Sequence, residues 1–162
     1  MPDYDISDWS DLFVAAAGAA AALTGLLFVA VSINLKEIIE DGADRALQTL
    51  LLLLSVVIVS LFGLAPDQSI ETLGVELAVI GAVVLVASAW AIVRSPVAEG
   101  APSWFRFSWG LLALPGPLFY LVGGVSLIAG SGGGLGWVLA GIVSAILGGV
   151  VNAWVLLVEI LR

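Results

Sequence analysis

The stretch FVAAAGAAAALTGLLFVAVSINL, Phe13 to Leu35, is one unbroken apolar run, yet from Ala15 to Ala22 it carries nothing bulkier than a methyl group. A helix needs about 20 apolar residues to cross the hydrocarbon of a bilayer, so the run qualifies as a span. Giving up bulk in lipid is useful where a neighbouring helix fills the space, because close backbone approach then adds dispersion contacts. At helical period, Asp11, Ala15, Gly18, Ala22, Gly25, Val29, Ser32 and Lys36 share one narrow face. That face predicts helix-to-helix contact.

The rest of the chain repeats the pattern. Of 162 residues, 61% are hydrophobic and 11% charged, well below the quarter or so typical of soluble domains. The fold class expected is all-α, an integral membrane five-helix bundle forming one transmembrane domain over 1–162. The spans fall at about 12–35, 46–65, 70–93, 105–129 and 135–160. The first lacks a basic leader and a small-residue cleavage site, so it reads as a retained helix. Short connections separate them: KEIIEDGADR, PDQS, RSPVAEGAPSW and GSGGG, each with the Gly, Pro or Asp that stops one helix or starts the next.

Lys and Arg near span ends stay cytoplasmic. With the N-terminus outside and the C-terminus inside, Lys36, Arg45, Arg94, Arg106 and Arg162 all fall inside, and the outer side is acidic from its N-terminal tail and Asp67 to Glu76. The localisation expected is the cell membrane, multi-pass. Trp9, Phe13 and Trp137 near the outer boundary, and Trp90, Trp104, Trp109 and Trp154 in the inner half, read as interfacial anchors.

The chain has no Cys and no His, which removes thiolate chemistry, disulfides and the commonest metal ligand and general base. No catalytic residue, metal site or cofactor is expected, and a net charge of −8 argues against nucleic acid. The glycine runs lack the GK[ST] of a phosphate loop and read as a connection and a packing face.

Small residues recur in the last span at Gly141, Ala145 and Gly148, followed by Asn152. Their spacing matches Gly18, Ala22 and Gly25 at a constant offset, which predicts parallel contact between the first and last spans, within one subunit or between neighbours. The same register sets Lys36 beside Glu159 as an ion pair. By contrast, LLLLL at Leu50 to Leu54 covers the second span with bulk and points it at lipid. The third span should turn Gly74, Ala78 and Gly81 toward the bundle.

Asn152, Ser55, Ser88 and Thr24 fall at similar depths to the break LPGPL, where Pro115 and Pro117 flank Gly116. A broken helix beside buried polar groups can expose carbonyls to an ion or substrate. The alternative is a proline kink with Asn152 as interhelical glue. Glu76 either contributes to a ring of carboxylates that selects cations or snorkels to the outer boundary.

AGAAAALTGLLFVAVSINL near the start, with NAWVLLVEILR at the end, resembles a family of small bacterial multi-pass membrane proteins, some labelled modulator of the FtsH protease. The likeness covers the first and last spans and assigns no functional residue. Two function classes stand: a homo-oligomeric cation channel or passive transport protein, and an accessory subunit that packs against a larger membrane protein partner such as a protease. The lipid bilayer is the partner common to both.

Overall fold

The computed structural model describes residues 6–94 and 103–160, and among these every regular element is helical. A 3₁₀ turn at Ile6–Trp9 runs into α1, Ser10–Ile33. The helix path breaks at Asn34, whose backbone leaves the helical region at φ −112° and ψ 32°, and resumes as the short α2, Leu35–Asp41. The stretch expected as a plain connection therefore holds a helix. Then follow α3 (Ala43–Gly63), α4 (Ile70–Arg94), α5 (Ser103–Ala113), α6 (Pro115–Ile128) and α7 (Leu135–Ile160). Four segments, Ile6–Ile33, Ala43–Gly63, Ile70–Arg94 and Leu135–Val158, are long and apolar enough to cross a membrane.

The fourth expected span, 105–129, is divided at Leu114 into α5 and α6. Pro115 and Pro117 have no amide to donate, so the carbonyls of Leu111 and Ala113 lose their partners four residues on, and the ring of each proline crowds the preceding turn. Pro115 instead opens α6 at its first position, where a missing amide costs nothing. The two halves still form one track along α7. Gly123 meets Val138, Gly141 meets the Tyr120 ring, Gly116 meets Ala145 and Gly148 meets the Leu112 carbonyl, an antiparallel register that passes the break without a slip.

Helices α4 and α6 pack backbone to backbone. A Cβ on Gly124 would lie 2.5 Å from both the Ala78 amide nitrogen and the Gly74 carbonyl oxygen, and one on Gly81 would lie 2.6 Å from the Leu121 nitrogen. Only glycine lets these backbones touch. The small side of α4 faces the bundle, while Val79, Val83, Val86 and Trp90 point outward.

The second span does not face lipid. In α3, Gln48, Leu52, Leu53, Ser55, Val56, Val59 and Ser60 are all buried, and the helix packs on α1, α4 and α7. Its side chains interdigitate with partners on several sides, which bulky leucines do as well as small residues do.

The first span presents the opposite face from the one expected to pack. Phe13, Ala16, Ala20, Thr24 and Leu27 bury against the bundle, with the Phe13 ring seated on Gly63. The stripe of Asp11, Ala15, Gly18, Ala22, Gly25, Val29, Ser32 and Lys36 is exposed along its whole length, and nothing within 4 Å would meet a Cβ on Gly18 or Gly25. Within the chain, the pairing of Gly18 with Gly141, Ala22 with Ala145 and Gly25 with Gly148 is not made. The last span spends those residues on Tyr120, Gly116 and Leu112 because the proline-divided helix offers the closer backbone.

GSGGG is a loop, as its composition requires. Gly130, Gly132, Gly133 and Gly134 all have positive φ, the Trp137 indole donates to the Gly132 carbonyl at 2.7 Å, and Gly134 N–H donates to Ser126 Oγ at 3.0 Å. The fixed loop sets the register in which α7 descends along α6.

Candidate functional site

The polar residues expected to matter are buried, and they divide by whether their own helix satisfies them. Thr24 donates to the Ala20 carbonyl at 2.8 Å and Ser55 to the Leu52 carbonyl at 2.6 Å, the usual intrahelical solution for hydroxyls at membrane depth. Ser88 Oγ and Asn152 Nδ2 are buried without a hydrogen-bond partner.

Gln48, Ser60, Trp109 and Tyr120 join them. Both amide atoms of Gln48, the Ser60 hydroxyl, the Trp109 indole nitrogen and the Tyr120 hydroxyl are buried and unpartnered; the Tyr120 hydroxyl faces Ser55 without a hydrogen bond of normal geometry. Trp109 is thus no interfacial anchor: it is 4% exposed, against 54% for Trp90 and 69% for Trp154. Phe13 is likewise buried, while Trp104 has a side chain outside those described.

The packing registers place Gln48, Trp109 and Asn152 at a similar depth. Gly148 sits against Leu112 of α5 and Leu52 of α3. One turn further in the same direction, Asn152 lies on α7, Trp109 on α5 and Gln48 on α3. The Arg45 guanidinium, 5.2 Å from the centre of the Trp109 ring, ties α3 to α5 at that level. Ser88 lies two turns beyond Gly81 on the buried face of α4. Nearer the other end are Ala113, whose carbonyl Pro117 deprives of an amide, and then Ser55 and Tyr120, with Ser60 on another face of α3. Buried polar side chains therefore occur at several depths in an otherwise apolar bundle, on α3, α4, α5, α6 and α7.

Gly116 and Pro117 are buried and Pro115 half-buried at the break. Glu76 is not among these buried polar groups. It accepts a hydrogen bond from Gln68, in the connection just before α4, which anchors it at the acidic end of the bundle. Lys36 is exposed, and its expected pairing with Glu159 lies outside the described side chains.

The sequence pattern pointed to neither Gln48 nor Tyr120 and made Trp109 an interfacial anchor. A signal existed: Gln48, Leu52, Ser55, Val59 and Gly63 recur at steps of four and three, a polar-and-small face on the leucine-rich helix. The five consecutive leucines masked it.

The fold and site define an all-helical membrane protein with buried polar side chains beside a proline-broken helix. No family model, curated protein or solved structure matches the chain.

Proposed function

We propose that this chain is a small passive transport protein of the cell membrane that works as a homo-oligomer, with the buried polar side chains of each subunit serving the route or binding site of a small solute. The observation that carries the reading is the set of buried, unpartnered polar atoms on α3, α4, α5, α6 and α7. Each such group costs about 1–3 kcal/mol if nothing hydrogen-bonds to it. A bundle free to fill the same places with Leu or Ala has no packing reason to keep them, whereas intramembrane polar groups serve solute paths. In this reading α5 and α6 make one crossing together, giving five. The end carrying Asp8, Asp11 and Glu71 faces outside and the end carrying Lys36, Arg45 and Arg94 faces the cytoplasm.

Flux of small ions into proteoliposomes tests the function. Uptake above protein-free vesicles that falls several-fold in Asn152→Leu or Gln48→Leu supports it; equal permeability with and without protein overturns it. A cysteine at Ser131 tests topology: labelling by an impermeant reagent from outside intact cells is the expected result.

A second reading, an accessory subunit on a larger membrane protein, draws on a different observation, the exposed small-residue face of α1. Gentle-detergent purification that recovers a stoichiometric foreign partner supports it, and a monodisperse homo-oligomer alone argues against it.

A further inference from the structure

We infer that the groove between α1 and α7, with α3 at its base, is a binding site for one acyl chain of a membrane phospholipid. The inference rests on α1 and α7 crossing the membrane, and not on transport.

Helices α1 and α7 both pack along α3 but hardly on each other, which leaves a gap between them of about 230 Å³ lined by all three helices. Small residues keep it open. Ala30 on α1 and Gly149 and Ala153 on α7 border the gap without reaching across it. At the base lie Leu27, 4% exposed, and Leu53, 2% exposed, with the Leu53 side chain resting on Gly149. Leu26 of α1 and Trp154 of α7, 68% and 69% exposed, stand at the two sides of the mouth.

The position of the groove matches one leaflet of a bilayer. It runs from Leu23 to Ala30 on α1 and from Gly149 to Leu157 on α7, about 10 and 12 Å at a rise of 1.5 Å per residue. Both lines start near the middle of their helices, Ser10–Ile33 and Leu135–Ile160, and stop one turn short of the same end. One leaflet contributes about 15 Å of hydrocarbon, so a chain lying there spans most of that depth.

The lining selects the occupant. It holds no charged side chain and, apart from the Trp154 indole, no polar one, so a polar solute would lose its hydration without compensation. A helix is about 10–12 Å across and covers the mouth without entering. An apolar cavity of about 150 Å³ takes up benzene, and this groove is larger, long and open to the side, the shape of a flexible hydrocarbon chain. A chain laid in it meets protein on three sides instead of one, and the added dispersion contacts hold it longer than lipid on the outer surface. Its polar end emerges at the level of α2. That helix carries Lys36 together with Glu37, Glu40 and Asp41, both signs of charge, so the site holds the chain and does not choose the charge of the headgroup.

The test uses the full chain purified in a steroid-based detergent, which has no alkyl chain to compete. Native mass spectrometry should find one phospholipid retained per chain after loosely held lipid is stripped. Ala153→Phe fills the groove and should lower the lipid-bound fraction several-fold, and Ala30→Leu should act in the same direction. Val86→Phe, on the outward face of α4, should leave it unchanged. Circular dichroism verifies that each variant is folded. In delipidated protein, a lysophospholipid with an oleoyl chain should raise the thermal midpoint saturably, while its hexanoyl counterpart, too short to reach the level of Leu23, should not. A parent chain that keeps no lipid, folded Ala153→Phe and Ala30→Leu that keep as much as the parent, or equal responses to the two lysophospholipids each overturns the inference. So does a delipidated dimer that Ala153→Phe splits, which would mean that a second copy fills the groove. Saturable binding of the oleoyl compound without solute flux in proteoliposomes leaves this site standing and removes the transport reading; flux without lipid retention does the reverse.

Discussion

Helices α1 and α3 are almost equally apolar, and each is long enough to cross a membrane, yet 56% of the spanning window of α3 is buried in the bundle against 28% of that of α1. The leucine-rich helix is central and the alanine-rich helix is peripheral. Lipid chains are as apolar as leucine, so bulk carries no preference for inside or outside in a bilayer. What places α3 at the centre is its polar-and-small face, Gln48 through Gly63, which lipid cannot satisfy. The small stripe of α1 is a surface on which a backbone can approach, and within the chain none does.

Substitutions on the two sides of this contrast should separate sharply. Gly148→Leu puts its first carbon 2.1 Å from the Leu112 carbonyl oxygen, a backbone atom that cannot move aside, so thermal or denaturant unfolding in micelles should show a loss of about 3 kcal/mol. Gly18→Leu, with nothing within 4 Å, should change stability by less than about 0.5 kcal/mol. Equal losses at both positions would break the contrast.

The next effect compares leucines. Leu52→Ala at the centre of α3 leaves a cavity and should cost about 2 kcal/mol, while Leu26→Ala, 68% exposed on α1, should lie within about 0.5 kcal/mol of the parent. Near-equal effects would mean that α1 is covered in the functional assembly, which sharpens rather than removes the distinction.

Assembly reads the exposed stripe directly. In a homo-oligomer joined through α1, cysteines at Ala22 of two copies should crosslink in membranes, and Gly25→Leu should weaken self-association roughly ten-fold without altering the unfolding of the subunit. A cysteine at Ala145, buried against Gly116, should not crosslink. The smallest effect belongs to Lys36→Ala. An exposed charge at a helix end contributes little, so both unfolding and assembly should be unchanged within about 0.5 kcal/mol.

Much of the architecture was legible along the chain because its causes are local. Span length follows from bilayer thickness, the division at Leu114 from two prolines in three residues, and the glycine loop from positive φ that only glycine adopts freely. The inward face of α4 was legible too, since its small and bulky residues sort onto opposite sides. Of the candidate site, Asn152 and Ser88 could be named by depth and face. Gln48 was hidden by the five leucines beside it, and Trp109 by the general habit of tryptophan to sit at interfaces. Tyr120 lies in a bulky apolar context that says nothing about which neighbour its ring will cover.

By itself, then, the sequence determined that this is an all-helical protein with helices long and apolar enough to cross a membrane, that the fourth expected span breaks at its prolines, and that α4 turns its small side inward. Only the tertiary structure decided that α3 is central, that α7 lays Gly141, Ala145 and Gly148 on α5 and α6, that the stripe of α1 is left outward, and that Gln48, Trp109 and Asn152 are buried. The reason is physical. A helical wheel shows that a face can accept a close neighbour, but several helices here carry such a face, and which pair forms depends on which backbones approach most closely once every helix is placed.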